Sequence, residues 1–369
     1  MKRINVDEVD YNKNKHLAQL KVSNLKYVHV FDLDEMEVEM TASSKRLPYD
    51  KNYIRNPSTN HWGQRKLIMS ELDFLTRYSN DKSVVVYAGA APGTHIKILA
   101  RFFPKLKFVL VDPAPFNIES TNKIDIFQQL FDDKFIDYLL SRYESDNILF
   151  VSDIRSKGHT ACATAGELDR SIMNDMMLQQ SWVDKIKPKY SLLKFRLPFD
   201  KQVARYLRGT ILFPIFGPVH TSESRLLVDA KDNFMKRPYS NEEYEEKMFE
   251  FICHTRVQFY KHDVTNVVGM DHCYDCASEV RILKEYLQHN KSTVGVTIKE
   301  LSDYITKNIA YDKDKMRTLA TIVTKSSRKK WYSDKLLDCE QGGYRDVNFE
   351  NIHGQYIKKM LGEFSHMTN

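Results

Sequence analysis

The sequence has no long apolar run and few cysteines. No segment approaches the ~18 consecutive apolar residues that a membrane-spanning helix requires, and the opening MKRINVDEVDYNKNKH lacks the apolar centre of a signal peptide. The five cysteines are an odd number without the spacing of a disulfide framework. We therefore expect an intracellular protein with reduced thiols and no membrane contact.

The composition is not that of a disordered or fibrous chain. Apolar residues make up 42% and charged residues 28% of the 369 positions, which is typical of a folded protein with one to three domains. Lysine and arginine exceed aspartate and glutamate by 55 − 49 = 6. This mild basicity is compatible with an anionic partner such as a nucleic acid.

Apolar, β-branched runs recur through the centre of the chain. After SVVVYAG they lie at 107–112, 147–153, 190–197 and 224–230, and helical segments separate several of them, notably IFQQLFDDKFIDYLLSRY and ELDRSIMNDMMLQQSWVDKI. Continuous rather than alternating apolar character is typical of strands covered on both faces. The pattern predicts an α/β fold, a doubly wound sheet over about 62–230 with ligands at the carboxyl ends of its strands.

The composition changes on both sides of this sheet. Residues 1–60 are polar and turn-rich and predict an amino-terminal arm packed on a core at 61–260; residues 261–369 predict a helical and basic carboxyl-terminal extension. The charged helical stretches beyond about 240 are either an appendage or a continuation of the outer layer of the core. The sequence contains no internal repeat.

A small-residue turn in YAGAAPGTH (87–95) joins a predicted strand to a predicted helix. A dinucleotide fingerprint would need glycine at Ala91 and Thr94, and a phosphate loop would need Gly-Lys-Ser/Thr. The GxAPG form suits a loop for S-adenosylmethionine, and Asp112 ends the next strand, where a carboxylate can accept hydrogen bonds from ribose hydroxyls. The alternative is a tight turn that binds no ligand.

Four charged residues stand where predicted elements begin or end: Lys66, Asp153, Lys194 and Glu223. Lys194 interrupts an otherwise apolar strand, and a buried ammonium group is costly unless it is paired. In a parallel sheet Asp153 and Lys194 would lie at the same end, with Lys66 and Glu223 completing two ion pairs. Spacing alone leaves a structural salt-bridge cluster and an active site as equal alternatives.

Several segments, in one order, resemble a known family. WGQRKLIMSEL, VVVYAGAAPGTH, FVSDIRS, LLKFRLPF and SESRLL are similar to the poxvirus cap-specific mRNA (nucleoside-2′-O-)-methyltransferases over about residues 47–250. In that family the same polypeptide is also the stimulatory subunit of the viral poly(A) polymerase. The resemblance implies a homologue from another large DNA virus, with a Rossmann-like S-adenosylmethionine-dependent methyltransferase sheet carrying helices on both faces. It implies capped mRNA as substrate, a poly(A) polymerase catalytic subunit as partner, and a location in the virion or host cytoplasm.

The resemblance also implies roles for single residues. The Lys-Asp-Lys-Glu tetrad of RNA 2′-O-methyltransferases falls on Lys66, Asp153, Lys194 and Glu223, with Lys194 as the general base and no metal. Contacts to S-adenosyl-L-methionine fall on Gln64, Tyr87, Gly89, Gly93, Asp112, Phe131, Asp153 and Arg155. Ala114 stands where the family has an arginine near the cofactor.

For the cap, the resemblance implies a methylated guanine held between aromatic rings and read by acidic groups. Phe199 matches one ring, Glu245 matches one acidic reader, and His220 replaces a tyrosine of the pocket. The second acidic reader falls on Lys201, for which the adjacent Asp200 can substitute. The second ring comes from the amino-terminal arm, where Phe31 is the candidate.

Two further patterns carry other hypotheses. A CxxC at Cys273 and Cys276, with Cys253 and His254 earlier, could supply four ligands to a structural zinc, although a single CxxC is a weak signal. The basic and aromatic run RKKWY at 328–332 is of the kind that holds single-stranded nucleic acid; the alternative is that it is simply a solvated face.

The rival to an enzyme is an RNA-binding stimulatory subunit of a poly(A) polymerase, with or without retained methyltransferase activity. A methyltransferase acting on a small molecule or a protein is the third possibility, which the paired lysines and the positive charge disfavour.

Overall fold

A computed structural model of the chain describes residues 2–10, 14, 26–50, 52, 63–155, 164–200, 202–218, 221–265, 267, 270–290 and 295–309. The strands of this described part are β1 (Lys2–Asn5), β2 (Tyr27–Phe31), β3 (Glu39–Met40), β4 (Val84–Ala88), β5 (Lys107–Val111), β6 (Ile124–Phe127), β7 (Ile148–Ser152), β8 (Tyr190–Phe195), β9 (Val203–Leu207), β10 (Thr210–Leu212), β11 (Ser224–Asp229), β12 (Lys236–Ser240) and β13 (Phe259–Tyr260). Its α-helices are α1 (Gly63–Tyr78), α2 (Ile96–Phe102), α3 (Asp133–Leu140), α4 (Ala165–Ile186), α5 (Asn241–Cys253), α6 (Tyr274–His289) and α7 (Ile298–Ile309). None of the helices in these ranges combines the length and the apolar character needed to cross a lipid bilayer.

Eight strands form the central sheet, in the order β3-β10-β11-β8-β7-β4-β5-β6. The five strands from β8 to β6 are parallel, and β11 pairs antiparallel with β8. The chain leaves β4 for β5 on one side and reaches β7 on the other, so the carboxyl end of β4 is a topological switch point, the place where open α/β sheets bind their ligands. The predicted strands at 107–112, 147–153, 190–197 and 224–230 are confirmed as β5, β7, β8 and β11.

Helices cover both faces of this sheet. Tyr87 of β4 donates a hydrogen bond to Glu71 of α1, whereas Phe150, which pairs with Val86, packs against Trp182 of α4. Because neighbouring residues of a strand point to opposite faces, α1 and α4 lie on opposite sides. Every residue of β4 and β7 is accordingly buried, and the predicted Rossmann-like sheet is confirmed.

The carboxyl-terminal helices extend one of these layers. Helix α6 packs on α1, and α7 packs on both. Leu283 of α6 and Ile305 of α7 belong to the same apolar core as the sheet. These helices therefore continue the outer layer of the core. The division of the chain at 60 and 260 stays a prediction.

The amino-terminal segment joins the rest of the chain at two places. Strand β3 pairs with β10 at one edge of the central sheet, while β1, β2 and β13 form a separate three-stranded sheet. Val28 of β2 packs in a small cluster with Val257 and with Cys273 and Cys276 near the start of α6.

One predicted helix is partly wrong. The segment IFQQLFDDKFIDYLLSRY was expected to be helical throughout, but its first residues belong to the edge strand β6, and α3 begins only at Asp133. Ile124 and Ile126 alternate with Asp125 along β6, as in a half-buried strand. Asp132 marks the true helix start because its carboxylate accepts the Phe135 N–H at 2.9 Å.

Candidate active site

The four charged residues singled out above lie at one edge of the central sheet. Lys194 is in β8, Asp153 follows β7 directly, Glu223 precedes β11, and Lys66 is in the first turns of α1. Because β11 runs antiparallel to β8, its first residues lie where the parallel strands end. The fold therefore brings a residue before a strand beside residues at the ends of strands.

These residues form two ion pairs. Lys194 Nζ lies 3.0 Å from Asp153 Oδ1 and donates to the Asp153 main-chain carbonyl at 3.0 Å. Lys66 Nζ donates to Glu223 Oε1 at 2.7 Å. All four side chains are less than one-fifth exposed, at 14%, 18%, 19% and 13% in the order named. Ion pairs screened this little by water interact strongly.

Two arginines complete the cluster. Arg225 pairs directly opposite Lys194 across β8 and β11, and its Nη2 donates to Asp153 Oδ1 at 2.7 Å. Arg155, expected near the cofactor, donates from Nη2 to the second oxygen of Glu223. Sequence reasoning gave Arg225 no role, although it stands two residues after Glu223, a spacing that places both side chains on one face of a strand.

The charges of the cluster favour a neutral lysine. Four cationic side chains meet two carboxylates, so positive charge is in excess. Burial and the charges of Arg155 and Arg225 lower the pKa of Lys194, although Asp153 and Glu223 oppose the shift. Burial alone would raise the pKa of Asp153, but Lys194, Arg225 and Lys66 bring it down to about 2.

The glycine turn lies between the ends of β4, β5 and β7. Gly89 has φ +80° and its N–H donates to the Val111 carbonyl at 2.9 Å. A Cβ at this position would stand 2.9 Å from the Ile154 nitrogen, so only glycine fits. Gly93 has φ +78°, which also favours glycine, and its nearest neighbour is the side chain of Ile118 rather than backbone.

Asp112 ties this turn to the end of β5. Its two carboxylate oxygens accept the N–H groups of Ala91 at 3.1 Å and Ala114 at 2.8 Å. Burial raises the pKa of Asp112 to about 6, against the effect of these two hydrogen bonds. A carboxylate at a switch point, beside a glycine turn, is a hydrogen-bond acceptor placed to suit the hydroxyls of a ribose-containing ligand.

The remaining cofactor candidates have different surroundings. Gln64, in the first turn of α1, places Oε1 3.0 Å from Nδ1 of His95 at the end of the glycine turn. Tyr87 is buried, with its hydroxyl on Glu71. The Phe131 ring packs in the core, with its centroid 4.9 Å from that of Trp182.

The cap candidates are spread over the region after β8. The side chain of Phe199 is 47% exposed, and the Arg196 guanidinium lies over one face of its ring, 4.7 Å from the centroid. The Asp200 carboxylate accepts the Gln202 N–H at 2.9 Å and also binds the Asn241 side chain.

The other cap candidates do not form one group with Phe199 among the described residues. Glu245 is half-buried on α5, and His220 and Lys201 lie outside the described residues. Phe31 stacks on Tyr260 in the three-stranded sheet, with ring centroids 5.4 Å apart.

The cysteine pattern assembles only in part. Asp271, Cys273 and Cys276 are buried with their potential ligand atoms within 4.8 Å of one another, and among the described residues Cys253 and His254 do not join this group. Cys273 caps α6 by accepting the Cys276 N–H, and burial raises the pKa of its thiol. The basic run at 328–332 lies outside the described residues.

Two structures of known proteins share part of the chain path. The bluetongue virus VP4 structure, described as a multifunctional RNA-capping production line, aligns with TM-score 0.38 and 11% identity over 69% of this chain and 46% of that one. A ribosomal RNA methyltransferase from Plasmodium falciparum aligns with TM-score 0.33 and 14% identity over 48% of this chain and all of that one. At these scores neither similarity says anything about the chemistry of this chain.

Two viral proteins resemble this chain more strongly in sequence than those two structures do. Myxoma virus (strain Lausanne) has a cap-specific mRNA (nucleoside-2′-O-)-methyltransferase that is 30% identical over 210 residues, 53% of this chain and 57% of the relative. The fowlpox virus (strain NVSL) protein of the same name is 32% identical over 181 residues, 45% of this chain and 57% of the relative. The chain thus spans little more than half the length of these relatives.

A family model covers more of the chain than these pairwise matches. The model described as poly A polymerase regulatory subunit matches residues 36–321, from just before β3 to beyond α7. This range includes the four charged residues, the glycine turn and the helices α6 and α7. The chain therefore belongs to the poly(A) polymerase regulatory subunit family.

Proposed function

We propose that the protein transfers a methyl group from S-adenosylmethionine to the ribose 2′-hydroxyl of a cap-proximal nucleotide of mRNA, converting cap 0 to cap 1. The observation that carries this proposal is the buried amine of Lys194, 3.0 Å from Asp153, in a cluster with an excess of positive charge. Such surroundings favour the neutral amine, which is the form that a general base requires.

Lys194 is the base in this proposal. A sugar hydroxyl is a poor nucleophile because its pKa lies far above neutral, so its proton must leave as the oxygen bonds to the methyl carbon. Lys194 Nζ accepts that proton and becomes an ammonium group, which Asp153 then stabilises at 3.0 Å. Bound S-adenosylmethionine supplies an electrophilic methyl group with a neutral thioether as leaving group.

The other charged residues keep this lysine in place. Asp153 is shared between Lys194 and Arg225, which limits how strongly it holds a proton on the amine. Glu223 binds Lys66 and Arg155 and so fixes the cationic side of the cluster. Holding the hydroxyl in line with the methyl group accounts for much of the remaining rate.

The cofactor would occupy the crevice at the end of β4. Asp112 would accept the ribose hydroxyls, while the main chain at Gly89 and Gly93 allows close approach and Gln64 offers its amide to the amino-acid group. Tyr87, Phe131, Asp153 and Arg155 complete the proposed set.

Capped mRNA is the proposed substrate, with Phe199 as a platform for the methylated guanine. Because Arg196 covers one face of the exposed ring, the base would stack on the other face. Asp200, Glu245 and His220 are the proposed readers and lining of this pocket.

The proposal is tested by incubating the protein with labelled S-adenosylmethionine and matched capped and uncapped RNA, then mapping the methylated nucleotide. The expected product carries label on a 2′-oxygen next to the cap, in capped RNA only. Label on a base, or equal labelling of uncapped RNA, would contradict the proposal.

Membership of the regulatory subunit family favours a second function on another surface. The chain would stimulate a poly(A) polymerase catalytic subunit while bound to RNA, in the virion or the host cytoplasm. Co-purification with that polymerase and longer poly(A) products in its presence are expected, and both should survive loss of Lys194. No binding to the polymerase would exclude this role.

A further inference from the structure

A chain of buried polar groups links α1 to the glycine turn. Tyr87 Oη donates to Glu71 Oε1 at 2.8 Å, and Glu71 Oε2 lies 3.1 Å from His95 Nε2. The other ring nitrogen of His95, Nδ1, lies 3.0 Å from Gln64 Oε1. His95 thus stands between a carboxylate on one side and the Gln64 amide on the other.

The polar groups of this series are buried, which restricts the orientations they can adopt. Tyr87 and His95 are each 2% exposed and Glu71 is 3% exposed. A buried carboxylate is costly unless it is hydrogen-bonded or paired, and within the described residues His95 carries the only basic group at ion-pair distance from Glu71. Rotation of the imidazole would break its contacts at both ends, so the ring is held in one orientation.

This series of polar groups ends at Gln64, which contacts the last residue of the glycine turn. Gln64 lies in the first turn of α1, two residues before Lys66. His95 contacts Oε1 of the Gln64 amide. No described residue forms a hydrogen bond with Nε2 of Gln64, which is therefore available to a ligand. The orientation of that amide depends on the imidazole, whose other nitrogen stands 3.1 Å from Glu71 Oε2.

We propose that His95 is a positioning residue for the methyl donor, holding the Gln64 amide in the orientation that binds the amino-acid group of the cofactor. The inference rests on the proposed function for the identity of the ligand. It predicts that cofactor affinity depends on the contact between His95 and Gln64. A variant that keeps only the contact with Glu71 should therefore bind the cofactor more weakly.

Two conservative variants separate these contacts. The side-chain nitrogen of asparagine reaches about as far from Cα as Nδ1 of histidine, and that of glutamine about as far as Nε2. His95→Asn therefore retains a partner for Gln64, while His95→Gln retains a partner for Glu71 only. Both variants remove the ring, but a purely structural role through Glu71 would be lost in His95→Asn and kept in His95→Gln, the opposite of the order expected here.

The experiment measures the dissociation constant of S-adenosylhomocysteine by calorimetry without RNA, together with kcat at saturating cofactor and KM for the cofactor. His95→Gln should raise Kd and KM about tenfold, equivalent to about 1.4 kcal/mol, with kcat little changed. His95→Asn should stay close to the wild type. The exposed His289→Gln is the matched control.

Equal weakening by the two variants, or a fall in kcat without a change in KM, would overturn the role of His95. Gln64→Ala combined with His95→Gln should bind no more weakly than Gln64→Ala alone, and additive losses would also overturn it. Because the ligand is measured without RNA, a wild type that binds it but does not methylate caps would contradict the proposed function and leave the His95 result readable.

Discussion

Lys194 and Arg225 occupy opposite positions in the antiparallel pair β8 and β11, and both contact the same oxygen of Asp153, at 3.0 and 2.7 Å. One carboxylate thus serves two cations. Arg225 keeps its charge at all accessible pH values, so of the two cations on this oxygen only Lys194 can release a proton. The register of the two strands therefore places the proposed base and a permanent cation on one carboxylate.

Removing this amine should abolish methyl transfer without loss of the cofactor. We expect Lys194→Ala to lower kcat by about 10²–10⁴-fold, the usual contribution of a general base, while the dissociation constant of S-adenosylhomocysteine stays near the wild-type value. Single-turnover methylation of capped RNA and calorimetry measure the two quantities. Near-normal methylation by the variant would refute the assigned role.

The pH dependence of the rate should report the lowered pKa of Lys194. Burial and the nearby arginines lower that pKa, so kcat should rise with pH as the amine loses its proton and then level off below the ordinary pH range of lysine. Arg225→Gln removes one cation, so that Lys194 no longer shares the Asp153 carboxylate with an arginine.

Both effects of Arg225→Gln raise the pKa of Lys194, so the rise in rate should move to higher pH and activity at neutral pH should fall. Lys236→Gln, which alters an exposed pair with Asp184, should leave the profile in place. An unchanged profile in Arg225→Gln would show that Arg225 does not act on the base.

Cofactor affinity should fall in acid because of Asp112, whose pKa burial raises to about 6. Above that pH the carboxylate accepts hydrogen bonds from the ribose; below it protonation removes this capacity, and Kd should rise up to about tenfold per pH unit. Asp112→Asn should bind weakly with no dependence on pH in this window. Calorimetry between pH 5 and 8 measures both.

The control for this pH effect is stability. Since the folded-state pKa is raised above the unfolded value, protonation of Asp112 stabilises the fold, and this contribution is lost as the pH rises through about 6. Weaker binding at pH 5 can therefore be separated from unfolding by thermal melts. A wild-type Kd that does not change between pH 5 and 8 would argue against ligand contact at Asp112.

The sequence patterns predict the central strands better than the surroundings of the site. Runs such as KFVLVD and NILFVSD predict their own strands because a strand buried on both faces must be apolar throughout. The sequence does not reveal strand β6 because only Ile124, Ile126 and Phe127 mark it and apolar residues continue into α3. The local sequence pattern is therefore a weak predictor of such short edge strands.

The candidate active-site cluster depends on contacts that no local pattern reveals. Lys66 and Glu223 are 157 positions apart, and Arg65 and Glu279 are 214 apart. The placement of charged residues at the predicted element ends suggested the first pair and the resemblance to a family supported it, but α6 lies beyond the segments that carried the resemblance. The partnership of Arg65, which stands between Gln64 and Lys66, became visible only in the folded chain.

That partnership yields a stability prediction. Arg65 and Glu279 form an ion pair that is 1% and 0% exposed, and Ser302 and Thr306 of α7 complete the hydrogen bonds of the guanidinium. Glu279→Ala leaves a buried cation without its carboxylate and should lower the free energy of unfolding by about 3–5 kcal/mol. Urea denaturation measures the change.

Asp81→Ala is the matched control, because its pair with Lys105 is 73% and 69% exposed and screened by water. It should leave the denaturation midpoint almost unchanged. Equal small effects in the two variants would mean that α6 does not clamp α1 through Arg65.

Loss of the ring at Phe199 should weaken the binding of capped RNA selectively. The side chain is 47% exposed and Arg196 supports one face, so removing it costs the fold little but removes a stacking surface worth ~1–3 kcal/mol per base. Phe199→Ala should therefore reduce the affinity for capped RNA about 5–150-fold. Uncapped RNA of the same sequence should bind as it does to the wild type, because its phosphates reach other residues.

Tyr138→Ala provides the comparison for Phe199, since Tyr138 is an exposed aromatic residue on α3, at 38% exposure. Its loss should change neither affinity. Fluorescence anisotropy with the two RNAs at several salt concentrations separates stacking from phosphate contacts, because only the latter weaken steeply with salt. Equal losses of capped and uncapped RNA in Phe199→Ala would assign the ring to general RNA binding, and the cap platform would have to be sought elsewhere.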